Sequence, residues 1–308
     1  MLAFVAFLLL LGLGFDAFVI GAGGPAVPIG SVMALGIGSV SALASYYGGD
    51  RAVLLATGAR PVDELLETAS EADRLKLRQL QNVVDEMAIA SGLPRPTVCV
   101  VPDADPNAFA TGRGPEHASI AVTRGLLDTL DRDELQGVIA HEMSHIRNFD
   151  IRLMTIVAAL VGGVALLSDW AWRASFRGGL RRRDETRRDR GGSALAPILM
   201  VIWVVTIILA PLISRALAMM VSRGRESLAD ASAAELTRNP LGLAHALEKI
   251  DAAVAPTTAI NRGSAHLCIA DPLGRKVNLK EGFWSDLFAS HPPMQQRIAA
   301  LRAMAFQH

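Results

Sequence analysis

Cysteine is nearly absent from this chain. Cys99 and Cys268 are the only two among 308 residues, so no disulfide framework can be built, and neither has the close spacing of a metal-binding pair. Cys99 falls in an apolar, strand-like run and reads as a small core residue. Charge is scarce too: Asp, Glu, Lys and Arg make up 19%, where a soluble domain carries about 25%. The 30 cations balance 30 acids, so nothing points to a nucleic-acid partner. No internal repeat is present, which excludes a solenoid. The opening Met1-Leu2-Ala3-Phe4 lacks the basic start of a cleaved signal peptide, so the first hydrophobic stretch is expected to be retained. What the chain has in quantity is apolar sequence: 51% hydrophobic residues and a mean hydropathy of +0.33, the composition of a membrane protein.

The hydrophobic runs come in two pairs. Residues 2–15 and 17–49 are uncharged around Asp16, with Gly23-Gly24-Pro25 and Pro28 marking a break. About 20 apolar residues cross a bilayer, so spans are expected near 2–22 and 29–48. Asp16 within the first is costly unless it faces other helices or a polar cavity, and no partner for it can be read from sequence. The second pair is 153–168, followed by Trp170 and Trp172 as interfacial anchors, and 191–214; the former is short for a span. Between them, Arg173 to Arg190 carries eight arginines and three acids and reads as a loop.

His141-Glu142-Met143-Ser144-His145 decides the chemistry. On a helix, residues four apart share a face, so His141 and His145 can present two imidazoles to one metal, with Glu142 beside them to polarise a water. That is a zinc peptidase signature; the bland alternative is a surface helix with two unrelated histidines. Asp131 followed by Glu134 reads as a capping box opening this helix. A catalytic zinc needs a third protein ligand and leaves the fourth position to water. Arg223 to Asp230 supplies one on a downstream helix, with Glu226 as the oxygen ligand and Asp230, four residues on, placed to accept the free ring N–H of a ligating histidine. Taken alone, Glu226 and Asp230 would read as an exposed acid pair. The remaining soluble sequence predicts a long helix over 61–93, strands at 97–101, 107–112 and 118–123, a turn into the motif helix, helices near 222–237 and 240–252, and a last helix from Pro292.

These residues bring a family into view. The chain resembles the HtpX family of bacterial membrane zinc peptidases, relatives of the CAAX prenyl proteases. The resemblance rests on Asn107 to Gly112, His141 to Asp150, Ser222 to Asp230, His266-Leu267 with Asp271-Pro272-Leu273, and Ser290-His291-Pro292-Pro293 with Arg297, in the family's order over roughly 45 to 305. It implies an α+β, gluzincin-type zinc peptidase domain with integral-membrane helices, four hydrophobic segments in all. The expected organisation is an N-terminal transmembrane pair (1–48), the first part of the peptidase domain (49–150), a membrane hairpin with the Arg-rich loop (151–221), and the second part of the domain (222–308). It assigns His291 as the donor to the oxyanion, supported by Arg297, where a helix-capping or buried structural histidine is the alternative. It makes Asn107, Ala108 and Phe109 the substrate-binding edge strand, where a turn asparagine is the alternative reading of Asn107.

The expected activity is a zinc metalloendopeptidase with one Zn2+ per chain, Glu142 as general base, and protein or peptide substrates, chiefly membrane proteins. His145 and Glu226 both lie close in sequence to the second hydrophobic pair, so the site is expected at the bilayer surface. The resemblance implies quality control of misfolded membrane proteins in a bacterial inner membrane, the site facing the cytoplasm. Two alternatives stay open: a CAAX-type prenyl protein endopeptidase, and a non-catalytic membrane adaptor keeping zinc for folding. Four hydrophobic segments are fewer than the first needs, and the second has no use for Glu142.

Overall fold

The computed structural model describes residues 5, 9, 13 and 16 singly and the segments 28–156, 223–253, 259–260, 267–270 and 293–306. The expected span 2–22 is therefore described only at isolated positions, and the second hydrophobic pair with its arginine loop lies outside the described residues after 156.

Helix α1 spans Ile29–Ala56 and is long and apolar enough to cross a bilayer. It runs eight residues past the expected end at 48, because nothing in Gly49 to Ala56 breaks it and Val53 buries against the peptidase sheet. It stops at Thr57, whose Oγ1 donates back to the Val53 carbonyl at 3.0 Å, and at Gly58, whose φ of 65° requires the left-handed conformation. Asp16 finds its partner at the other end. Its carboxylate accepts from the Gly30 N–H at 2.7 Å and the Ser31 N–H at 2.8 Å, and also from the Ser31 hydroxyl. The acid thus caps the N-terminus of α1, satisfying orphan donors and meeting the positive end of the helix dipole.

After α1 come β1 (Arg60–Pro61), α2 (Val62–Thr68) and α3 (Glu71–Ser91). The single helix expected over 61–93 is two. Ala69 is extended, and Ser70 restarts the chain as an N-cap, its side chain accepting from the Asp73 N–H. Three further strands follow as expected, β2 (Thr97–Val101), β3 (Ala108–Gly112) and β4 (Ala118–Thr123). The sheet order is β1-β2-β4-β3, with β2 parallel to β4 and both outer strands antiparallel to their neighbours. β3 is thus an edge.

Both sheet faces are covered, and β3 and β4 are buried throughout. Val98, Val100, Ala108, Ala110, Ile120 and Val122 join the main core with the helices. On the reverse face Cys99, Val101, Phe109 and Ala121 pack with Val53 of α1 and Met154. Cys99 is the small core residue the sequence suggested, and burial pushes its thiol up to about 11.

A short helix, α4 (Arg124–Thr129), stands where only a turn was expected before α5 (Arg132–Arg147). The capping box is present: the Asp131 side chain accepts from the Glu134 N–H, and the Glu134 carboxylate accepts from the Asp131 N–H. α6 (Arg223–Thr237), α7 (Pro240–Ala252) and α8 (Met294–Ala305) complete the described elements. α8 starts two residues later than expected, with Pro293 at the N-cap. The motif helix α5 packs against α3, α6 and α7. Its contact with α7 is close enough to need glycine: a Cβ on Gly137 would sit 2.7 Å from the Leu243 nitrogen.

Candidate metal centre

α5 carries His141, Glu142 and His145 into the buried side of the domain, and α6 brings Glu226 and Asp230 on one face opposite them; all five are buried. The His141 Nε2 and His145 Nε2 atoms are 3.2 Å apart. The Glu226 carboxylate reaches both, Oε2 at 3.7 Å from His141 Nε2 and Oε1 at 3.6 Å from His145 Nε2. Each imidazole has its other nitrogen engaged by an acid. His141 Nδ1 lies 3.0 Å from Asp230 Oδ1, and His145 Nδ1 lies 3.2 Å from Asp150 Oδ2.

This pattern fixes what the centre can hold. Once each Nδ1–H is donated to a carboxylate, each Nε2 presents a lone pair. Two nitrogen lone pairs and a carboxylate then converge in a buried space, which is repulsive unless a cation sits between them. Two nitrogens bound to one zinc at about 2.0–2.1 Å in a tetrahedron lie about 3.3–3.4 Å apart, close to the spacing found. His141, His145 and Glu226 therefore fit a metal ion, and the three ligand atoms lie within 4.8 Å of one another.

The electrostatics follow from burial and these pairings. Burial pushes the Glu142 carboxyl up to about 7, with Glu226 adding to the rise, while His145 and the Ala110 N–H beside it hold the rise back. Burial lowers the His141 pKa, and hydrogen bonding to Asp230 only partly opposes that. For His145 burial also favours the neutral ring, but Asp150 and Glu226 outweigh it and the net shift is upward. Asp230 is held well below the usual carboxylate range despite its burial, because Arg297 grips it.

That arginine comes from α8. Its Nε donates to Asp230 Oδ2 at 2.8 Å and its Nη2 to Oδ1 at 2.7 Å, a bidentate pair. Nη1 donates to the Ile269 carbonyl at 3.0 Å and lies 3.4 Å from Glu226 Oε2. The sequence reading put Arg297 in support of His291. Among the described residues its guanidinium holds Asp230 and lies against Glu226. His291 lies outside the described residues.

Sequence reasoning missed the matching support on His145. Asp150 is five residues beyond it, off the i+4 face. The chain turns at Asn148 and Phe149, where φ reaches 59°, and so brings Asp150 back to the ring. Arg225 Nη1 then donates to Asp150 Oδ1 at 2.7 Å. The available signal was an acid just past the helix end together with a second arginine in the Glu226 segment. The three proposed substrate contacts, Asn107, Ala108 and Phe109, are all buried. The Phe109 ring packs into the reverse-face core, and Asn107 hydrogen-bonds with Ala270.

An HExxH helix under a mixed sheet, with a glutamate supplied by a second helix, defines the class of metal-dependent peptidases. The chain belongs to peptidase family M48, whose sequence pattern matches residues 74–305, and it is a metalloprotease. Its relatives include proteins described as "Protease HtpX homolog". The one from Caldanaerobacter subterraneus subsp. tengcongensis is 44% identical over 262 residues, 84% of this chain and 80% of the relative. That from Streptococcus gordonii is 40% identical over 278 residues, 90% and 87%. Among solved structures, S. mikatae Ste24p shares the fold with a TM-score of 0.51 at 21% identity, over 94% of this chain. The chain spans 62% of that protein's length.

Proposed function

We propose that this chain is an integral-membrane zinc endopeptidase that cleaves misfolded or membrane-associated proteins, with a role in membrane protein quality control. The observation that carries the reading is the convergence of His141, His145 and Glu226 with Glu142 buried beside them. His141, His145 and Glu226 hold the zinc. Asp230 and Asp150 orient the two imidazoles, and Arg297 and Arg225 hold those acids. Zinc, when bound, supplies a Lewis acid that polarises the scissile carbonyl and makes water more acidic.

Glu142 takes the proton of the attacking water on its carboxylate and returns it to the leaving amine. A base tuned near neutrality suits that task, and burial raises the Glu142 carboxyl from its usual range while the metal would draw it back down. His291 donates a hydrogen bond to the developing oxyanion. An extended substrate docks by adding to the outer edge of β3. A zinc kept only for folding would leave Glu142 without a purpose.

Four hydrophobic segments anchor the chain, two in an N-terminal membrane pair (1–48) and two in a membrane hairpin (151–221), and the peptidase domain is built from 49–150 and 222–308. The catalytic side faces the cytoplasm of a bacterial-type inner membrane. Placement of the centre close to the bilayer is supported by helix packing. Ser45 within the apolar part of α1 donates its hydroxyl to the Ile156 carbonyl at 2.8 Å, and residue 156 follows His145 by only eleven positions.

The test is Glu142→Gln in the detergent-solubilised full chain, assayed on casein with and without a chelator. It should keep stoichiometric zinc and lose essentially all proteolysis, and turnover close to wild type would sink the mechanism. His291→Phe should keep zinc and lower turnover by about 100-fold, as for a lost oxyanion donor. Loss of the metal in that variant would make His291 a ligand.

A further inference from the structure

Backbone groups along β3 alternate in direction. Asn107 and Thr123 face each other across the β3–β4 ladder, the Thr123 N–H donating to the Asn107 carbonyl at 2.9 Å. Ala108, Ala110 and Gly112 therefore turn their N–H and C=O groups towards the outer edge, where the Ala108 N–H is donated to Asn107 Oδ1 at 3.1 Å and the Gly112 N–H to Thr155 Oγ1 at 2.9 Å. That is the edge to which a substrate would add, and residues 267–270 already lie at its first position. The Ile269 N–H donates to the Ala108 carbonyl at 2.9 Å. The Asn107 side chain closes on both backbone groups of Ala270: Nδ2 donates to the carbonyl at 2.9 Å and Oδ1 accepts from the N–H at 3.4 Å. Arg297 Nη1 takes the Ile269 carbonyl at 3.0 Å.

All four backbone polar groups of Ile269 and Ala270 are thus bonded to the edge strand or to the arginine that grips Asp230. The Ile269 side chain is buried in the main core, and Leu267 and Cys268 pack with Phe109 on the reverse face. Lifting this segment would expose those side chains and strand the four backbone groups at once. It is built to stay.

We propose that residues 267–270 form a fixed wall on the β3 edge, held there by Asn107 and Arg297 as positioning residues, and that the wall ends the substrate's backbone pairing before Ala108. This rests on the edge docking proposed above. A substrate antiparallel to β3 has its carboxyl-terminal side towards Ala108 and its amino-terminal side towards Gly112. Glu142, which has the Ala110 N–H beside it, marks the reacting position between them. The enzyme then holds its substrate on the amino-terminal side of the scissile bond, by substrate N–H groups donating to the Ala110 and Gly112 carbonyls, since the Gly112 N–H is already given to Thr155. The carboxyl-terminal side runs off the sheet. Asn107, whose amide is committed to Ala270, serves the wall and not the substrate.

The experiment is an N-methyl scan of one quenched fluorescent peptide cleaved by the full-length enzyme in detergent. Each backbone N–H within a few residues of the scissile amide is methylated in turn, the scissile amide excepted. Methylation at one or more amino-side positions should lower kcat/KM at least tenfold, and every carboxyl-side position should cost less than twofold. A tenfold loss on the carboxyl side overturns the wall. Insensitivity on both sides overturns edge docking and the wall with it, while cleavage of the parent peptide, abolished in Glu142→Gln, would leave the peptidase reading standing. Asn107→Ala supplies a second readout. Hydrogen exchange across 267–270 should accelerate at least tenfold with metal content unchanged. Unchanged exchange with a raised KM on every peptide would make Asn107 a substrate contact and overturn its place here.

Discussion

The two histidines of the centre are supported by the same chemistry in opposite settings. His141 leans on Asp230, which is gripped by Arg297, and both partners of that pair are sealed from solvent, with side-chain exposures of 5% and 2%. His145 leans on Asp150, which at 7% exposure is nearly as buried as Asp230, but the Arg225 that holds it through one bond is 44% exposed. Within the protein a charge pair is strong only while it stays complete, because removing one partner leaves an unscreened charge behind. At the surface, water replaces a lost partner at little cost. One arm is therefore a rigid strut that ties α5, α6 and α8 together. The other is an adjustable brace at the end of α5.

The largest expected effect follows from breaking the sealed pair. Arg297→Met leaves the Asp230 carboxylate buried without its cation and should destabilise the domain by about 3–5 kcal/mol, read by chemical denaturation in detergent. Replacing both partners, Arg297→Met with Asp230→Leu, should recover much of that loss, since an apolar pair of similar volume is often neutral. A single-variant loss below about 1 kcal/mol, the range of an exposed pair, would erase the difference between the arms.

Much of this was legible in sequence, and the reasons for the gaps are physical. His141 and His145 follow from i+4 spacing, a rule local to one helix, and Glu226 with Asp230 from the need of that pair for a third ligand and its support. β2, β3 and β4 announce themselves by β-branched and small residues, and the Asp131–Glu134 box by its three-residue offset. Asp150 was missed because its approach depends on a left-handed Phe149 after the helix has ended, and nothing in periodicity reports that turn. Arg297 was singled out, but its grip on Asp230 was not foreseen, because that contact is 67 positions away in sequence. The break at Ala69–Ser70 was hidden by apolar residues whose helical spacing carries across it. Asp16 could not be paired from sequence, since its partners are the backbone N–H groups at the start of another helix.

A middle-sized effect separates the two acids. Asp230→Asn and Asp150→Asn each weaken the charge that orients a ligating imidazole, and such changes typically cost 10–100-fold in metal affinity. Asp230→Asn should lie near the upper end, because it also leaves Arg297 buried without its bidentate partner, and Asp150→Asn near the lower. Chelator competition on the two purified variants measures both. Equal losses would show that burial of the supporting arginine is irrelevant to metal retention.

The smallest effect tests the brace itself. Arg225→Gln removes a cation from the buried Asp150, but Arg225 is substantially exposed, its pairing is a single bond, and His145 stays beside the acid while water and counterions take the place of the arginine. Stability should fall by less than about 1 kcal/mol, and metal affinity should stay within about threefold by the same estimate. Whatever difference exists should shrink with salt, since the screening length falls from about 30 Å at 0.01 M to about 3 Å at 1 M. Arg297→Met should show no such salt dependence, because its pair is sealed from ions. Melting both variants with wild type at low and high salt therefore gives two slopes as well as two magnitudes. A salt-independent loss of several kcal/mol in Arg225→Gln would make the His145 arm a second sealed strut, and the contrast between the arms would fail.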